Sequence, residues 1–274
     1  VDNNGDNFTQ IIGPSQNVVY QSNNGVLIHD DCTTALKTMC CDSIDLIVTS
    51  PPYNCGIEYD SWDDEQGVDE YLGFCYDWLR ECKNILRPGG RICVNVLVDA
   101  IMDKRTVRVS PFAEIYNLML NIGYKFAGFP IWVEPNRSKN TAWGSWKSAA
   151  APYIYTPCEV VIIGYKGEWK REGGENTISK EQFIEGVGGI WKFRPETQQR
   201  TKANFPIELP KMCINLLSFK GDVVLDPFMG SGTTAMAAIE TDRKFIGIDI
   251  SKNYCDKAIE RINERSAQQT LFEA

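Results

Sequence analysis

Apolar residues recur along this chain at two spacings, and the spacing separates helices from strands. From Asp69 to Leu86, the residues Leu72, Cys75, Leu79, Cys82 and Leu86 fall at steps of three and four, the period of a helix with one buried face. Arg87-Pro88-Gly89-Gly90 stops that helix. Further helices are predicted through Ala35, Leu36 and Met39, from Pro111 to Leu120, from Pro206 to Leu217, from Thr233 to Glu240, and from Lys252 to about Arg265. Short, nearly continuous apolar runs read as buried strands: Gly25 to His29, Ile44 to Val48, Ile92 to Val96, Tyr124 to Val133, Val160 to Tyr165, Val223 to Leu225 and Lys244 to Ile248.

Strands alternating with helices imply a mostly parallel sheet covered on both faces, an α/β fold. Residues 1–24 are rich in Asn, Gln and Ser and read as a flexible arm before a catalytic domain over 25–266, with 267–274 as a tail. Inside that domain, 134–202 reads as an irregular insertion, aromatic from Arg137 to Tyr155 and polar from Gly167 onward. Trp78 and Trp132 are expected in the core, and Asp63-Asp64 and Glu172 to Glu175 on the solvated surface.

Composition narrows the classes. At 274 residues, 43% hydrophobic and 23% charged, the chain has the makings of an ordinary globular domain. It shows no charged-then-apolar leader, and no apolar run approaches the roughly 20 residues that span a bilayer, so a cytoplasmic protein with no membrane partner is expected. Ten cysteines without a Cys-x-x-Cys pair read as free, mostly buried thiols, and a single histidine leaves no metal-ligand spacing, so no metal is expected. The net charge of −8 is uneven: Glu134 to Lys220 holds 13 Lys/Arg against 9 Glu and no Asp. A locally basic face on an acidic body is compatible with contacts to phosphates.

Two stretches carry chemistry. Thr49-Ser50-Pro51-Pro52-Tyr53-Asn54 follows a strand, and paired prolines end it as a stiff loop at the carboxyl end, where open α/β sheets place their ligands. A hydroxyl, two prolyl carbonyls and an aromatic ring there suit a flat ring bearing an amino group. Downstream, Asp226-Pro227-Phe228-Met229-Gly230-Ser231-Gly232-Thr233-Thr234 runs from strand through a glycine turn into a helix, and Asp249 closes the next strand 17 residues after Gly232. The third glycine of a dinucleotide fingerprint is missing, and no Lys makes it a P-loop. A nucleoside with a positive or zwitterionic tail fits, S-adenosylmethionine among them.

Taken together and in this order, the two stretches resemble the β class of DNA amino-methyltransferases, in which the catalytic motif precedes the cofactor motif. Phe205-Pro206, just before the cofactor strand, and Asp31, after the first strand, match further family positions, and the resemblance extends over roughly residues 25 to 262. It implies a circularly permuted Rossmann-like sheet that starts at what is ordinarily the third strand and ends at the second. It also implies S-adenosyl-L-methionine as cofactor, held by Asp31, Phe205, Pro206, Asp226, Pro227, Phe228, Gly230, Gly232, Thr233 and Asp249.

Catalysis would fall to Ser50, Pro51, Pro52 and Tyr53. The implied partner is double-stranded DNA, with or without a cognate restriction endonuclease, and the chain itself is expected as a monomer or homodimer. Arg137, Lys139, Trp143, Lys147, Lys192, Arg194, Arg200 and Lys202 are the candidates for the DNA face. Within the family, Ser-Pro-Pro-Tyr is more typical of cytosine-N4 enzymes and Asp-Pro-Pro-Tyr of adenine-N6 enzymes, so cytosine N4 is the expected target, with adenine N6 the alternative. Pro157-Cys158 lies outside the catalytic-loop position and reads as structural. Amide- and RNA-directed enzymes with Pro-Pro-Tyr motifs usually carry the cofactor motif first, against the order here. An inactive DNA-binding partner subunit is the non-enzymatic alternative.

Overall fold

A computed structural model describes residues 6–14, 16–102, 107–133, 144–154, 156–196 and 205–273. The chain begins with α1 (Asp6–Thr9), β1 (Val18–Gln21), β2 (Gly25–His29), α2 (Cys32–Thr38), β3 (Ile44–Thr49), α3 (Val68–Ile85) and β4 (Leu86–Leu97). An antiparallel pair, β5 (Ala100–Met102) and β6 (Val107–Val109), leads to α4 (Pro111–Ile122), β7 (Lys125–Gly128), β8 (Ile131–Val133) and β9 (Cys158–Tyr165). Then come α5 (Lys180–Val187), β10 (Ile190–Trp191), α6 (Glu208–Leu217), β11 (Val223–Asp226), α7 (Thr233–Glu240), β12 (Lys244–Asp249) and α8 (Lys252–Glu273).

The main sheet runs β1-β2-β12-β11-β3-β4-β9-β8-β10, with β7 also paired to β9. The last two strands of the chain sit between β2 and β3, the order expected of the permuted sheet. The five strands β2-β12-β11-β3-β4 are all parallel, whereas β1 and β9 join antiparallel at either side. The sheet is thus mixed, with a parallel centre. Side chains alternate across it: Val26, Ile28, Ile47, Ile92, Val94, Leu225, Ile246 and Ile248 enter one core with α2, α3 and α4. Leu27, Leu46, Val48, Cys93, Val224 and Phe245 enter the other, with α6, α7 and α8. Burial on both faces explains why these strands lack a polar alternation.

Several sequence expectations are corrected. Residues 6–14 and 16–24 are not a loose arm: Phe8 and Ile12 are buried in the first core and β1 pairs with β2, because a few apolar side chains suffice where a sheet edge stands ready. The last helix continues through the expected tail to Glu273. Much of the expected insertion from Cys158 onward belongs to the fold. Strand β9 lies against β4, Trp191 is fully buried, and Arg171 joins Asp45 and Asp222 at 2.8 Å each. The single strand expected over Tyr124 to Val133 is two, β7 and β8, broken at Phe129-Pro130.

Candidate active site

Leu225 lies beside Ile47 in register, so the carboxyl ends of β3 and β11 are neighbours although 176 residues separate Ser50 from Asp226. This is where the strand order reverses, the place where open α/β sheets bind ligands. The Ser50 loop and the Gly230 loop leave these two strand ends and line one cleft of about 780 Å³, counted to its open mouth. Of the predicted residues, Asp31, Ser50, Pro51, Pro52, Tyr53, Pro227, Phe228, Gly230 and Asp249 line it.

Each wall has a local cause. Asp31 caps α2, its carboxylate accepting from the Thr34 backbone N–H at 2.9 Å. Asp249 accepts from the N–H groups of Gly230 and Ser251, each at 2.8 Å, which locks the glycine turn to the end of β12. Burial pushes the Asp249 carboxyl up to about 6. Phe228 packs edge-on to Trp78 at 5.2 Å, and Phe74 stands 4.5 Å from Trp62, so one side of the cleft is aromatic.

In the Ser50–Tyr53 loop, the Pro52 carbonyl accepts from the Tyr71 hydroxyl at 2.8 Å, which leaves the Pro51 carbonyl as the prolyl acceptor for a ligand. Tyr53 is buried with its ring against the cleft. Its hydroxyl donates to Glu159 Oε2 at 3.0 Å, receives Asn95 Nδ2 at 3.1 Å and lies 2.6 Å from Ser50 Oγ. Burial and the neighbouring Glu159 charge push the Tyr53 hydroxyl well above its ordinary value, so it stays protonated.

The remaining predicted cofactor residues stand elsewhere. Asp226 lies behind the wall, accepting from Thr49 Oγ1 at 2.7 Å, Thr234 Oγ1 at 2.6 Å and the Phe228 N–H at 3.0 Å. Gly232 starts α7 in the left-handed region, φ 80°, where a Cβ would stand 3.1 Å from Ala258. Thr233 is buried and accepts from Arg261 Nη1 at 3.0 Å. Phe205 and Pro206 lead into α6 outside the cleft lining. Of the DNA-face candidates, Lys147, Lys192 and Arg194 are exposed; Arg137, Lys139, Trp143, Arg200 and Lys202 lie outside the described residues.

Sequence reasoning missed several wall residues: Tyr59, Ser61, Trp62, Phe74, Ser251 and Tyr254. It also placed Asp64 on the surface. Asp64 is buried and accepts from the N–H groups of Asn54, Cys55 and Ile57 at 2.7 to 3.0 Å, tying down the loop that carries Tyr59 and Trp62. Asn95 was missed too, although a polar residue inside the run Ile92 to Val96 is itself a signal.

The donor set tests the expected cofactor. Two carboxylates and an aromatic side face the cleft, and among the described residues no Lys or Arg lines it. A phosphate would find no counter-charge there. A ribose and an ammonium group would find acceptors, and a purine ring an aromatic wall, so the residues fit S-adenosylmethionine.

Comparison with known proteins agrees. Residues 44–260 match the DNA methylase family of N6 and N4 methyltransferases. The Type II methyltransferase M.MjaVI of Methanocaldococcus jannaschii is 40% identical over 184 residues, 66% of this chain and 92% of that relative. M.HpaI of Haemophilus parainfluenzae, also a Type II methyltransferase, is 28% identical over 258 residues, 86% of this chain and 74% of its own length. Among solved structures, TTHA0409 of Thermus thermophilus, complexed with S-adenosyl-L-methionine, superposes with a TM-score of 0.67 at 27% identity, covering 84% of this chain and 90% of that one. The cytosine-N4-specific PvuII DNA methyltransferase shares the fold, with a TM-score of 0.71 at 20% identity over 89% of this chain and 88% of its own. With the Ser50 loop and the glycine turn on one cleft and most of its length matched, this chain belongs to the N6/N4 DNA methylase family.

Proposed function

We propose that this chain is a site-specific DNA methyltransferase that methylates the exocyclic N4 amine of a flipped-out cytosine in double-stranded DNA, using S-adenosylmethionine. The observation that carries the reading is the single cleft lined by both the Ser50-Pro51-Pro52-Tyr53 loop and the Gly230–Asp249 turn. Kinship to Type II methyltransferases supports a role in restriction-modification, with a cognate endonuclease as the proposed partner.

The bound cofactor supplies an electrophilic methyl group. Asp249 and Asp31 would accept from its hydroxyl and ammonium groups, and Phe228 and Trp62 would line the space for its ring. The target amine is a poor nucleophile because its lone pair is delocalised into the base. Extrusion from the duplex costs a few kcal/mol, and a stacking face on Tyr53 returns roughly 1–3 kcal/mol. Ser50 Oγ and the Pro51 carbonyl accept the amine hydrogens and turn the lone pair toward the methyl group. Direct displacement would exchange the methyl–sulfur bond of the cofactor for a bond to this nitrogen, with one amine proton passing to water. Fixed acceptors stabilise the charge that grows on nitrogen, and positioning supplies much of the rate.

Ser50 in place of a carboxylate favours cytosine N4; adenine N6 is the alternative. The test is to treat unmethylated genomic DNA with enzyme and cofactor and map the product by a method that separates the two modified bases. N4-methylcytosine at a defined sequence is expected. N6-methyladenine would transfer the reading to adenine, and cofactor binding with no DNA product would mark an inactive partner subunit.

A further inference from the structure

Ser50 is held in a buried cluster whose hydrogen-bond directions are set from one end. Glu159, at the start of β9 and 7% exposed, sits opposite Trp132 and Leu97 in register. Its Oε2 receives the Tyr53 hydroxyl at 3.0 Å and Asn95 Nδ2 at 2.5 Å. Asn95 Nδ2 also donates to Tyr53 Oη at 3.1 Å. Tyr53 Oη lies 2.6 Å from Ser50 Oγ, and Ser50 Oγ lies 3.2 Å from the Asn95 main-chain carbonyl.

A carboxylate only accepts, and a phenol has one proton. The single proton of Tyr53 is therefore committed to Glu159. The amide nitrogen of Asn95 faces the same two oxygens, because its own oxygen there would oppose two acceptors. The 2.6 Å contact between Ser50 and Tyr53 then requires the proton to come from Ser50. Among the described residues, the other group within reach of that proton is the Asn95 carbonyl, again an acceptor inside the protein. Every proton of the cluster points inward, and Ser50 Oγ is left with lone pairs for the cleft.

We infer that Glu159 is a specificity-determining positioning residue: acting through Tyr53 and Asn95, it makes Ser50 Oγ an obligate acceptor, which selects a base bearing an amino group over one bearing a carbonyl at that position. The inference rests on the methyltransferase reading above. It adds a residue that touches neither cofactor nor base, and it explains how a neutral hydroxyl, able to donate or accept in water, is made to do only one.

The test uses the full chain and a duplex carrying the sequence found by mapping its product. Two forms of that duplex are compared by equilibrium binding affinity, because only one can be methylated: one carries the natural target base and the other its carbonyl counterpart, uracil for cytosine or hypoxanthine for adenine. Glu159→Leu removes the acceptor altogether, so the Tyr53 proton turns to Ser50 Oγ and occupies one of its lone pairs, and the Ser50 proton is left between the longer 3.2 Å contact to the Asn95 carbonyl and the cleft. The preference of the wild type for the amino duplex is expected to shrink about tenfold in Glu159→Leu, with S-adenosylmethionine affinity retained. Tyr53→Phe takes the 2.6 Å acceptor from the Ser50 proton by a second route and should shrink the preference in the same direction, which keeps the test decisive if Glu159→Leu folds poorly. An unchanged preference in the folded variants, or a wild type that does not discriminate the two duplexes, overturns the inference. A wild type that modifies no DNA at all overturns the underlying function instead.

Discussion

Thr49 Oγ1 donates to Asp226 Oδ1 at 2.7 Å, and both residues are buried. Thr49 is the last residue of β3 before Ser50, and Asp226 the last of β11 before Pro227. A side-chain hydrogen bond thus joins the bases of the two loops that make the cleft, above the sheet pairing of Leu225 with Ile47.

Thr49→Val should test that joint. Valine matches the shape but leaves a buried carboxylate with one donor fewer, at a cost of about 1–3 kcal/mol. Urea unfolding measures the loss, and methyl transfer at saturating cofactor should fall with it, because Ser50 is no longer fixed relative to the glycine turn.

Burial pushes Asp226 up to about 6 from an unfolded value of 3.8, despite the donors around it. Between those values the folded chain holds a proton that the unfolded chain has released. Its contribution to stability therefore falls as pH rises from about 4 to about 6, and is level above that. Asp226→Asn should flatten the pH dependence of the urea midpoint across this window. A slope as steep as in the wild type would assign the effect to other carboxyls.

Asp64→Ala should release the loop that follows the catalytic motif. Three backbone donors lose their acceptor, which costs about 1–3 kcal/mol. Limited proteolysis should then cut within residues 55–67 and weaken cofactor binding, since Tyr59, Ser61 and Trp62 of that loop line the cleft.

Ser50→Ala and Tyr53→Ala should separate chemistry from scaffold. Loss of base stacking alone, roughly 1–3 kcal/mol, lowers the rate by about five- to 150-fold in Tyr53→Ala. Cys158→Ala should keep full transfer in a single-turnover assay; a dead Cys158→Ala would demand a covalent route in place of direct displacement.

Lys147, Lys192 and Arg194 are exposed and stand as the described candidates for phosphate contacts. Replacing all three with Ala should reduce the slope of log affinity against log salt by about 0.9 for each contact removed. An unchanged slope would remove them from the DNA face.

What the amino-acid sequence determined by itself was local. Paired prolines end a strand wherever they fall, a Gly-x-Gly turn opens a helix wherever it follows a strand, and the steps of Leu72 to Leu86 mark a helix face without reference to any neighbour. Those features made the parallel centre of the sheet, both loops that line the cleft and the family legible. The tertiary structure decided what depends on meeting distant partners. Asp226 reads as a ligand residue in its motif, yet Thr49 and Thr234 turn its carboxylate into a joint. Asp64 reads as surface charge, yet three backbone N–H groups bury it. Phe8 and Val18 are too sparse to announce an ordered segment until the edge of β2 offers them a place. Asn95 and Glu159 lie 64 residues apart and meet only because β4 and β9 are antiparallel neighbours. The direction in which the Ser50 hydroxyl points follows from that meeting.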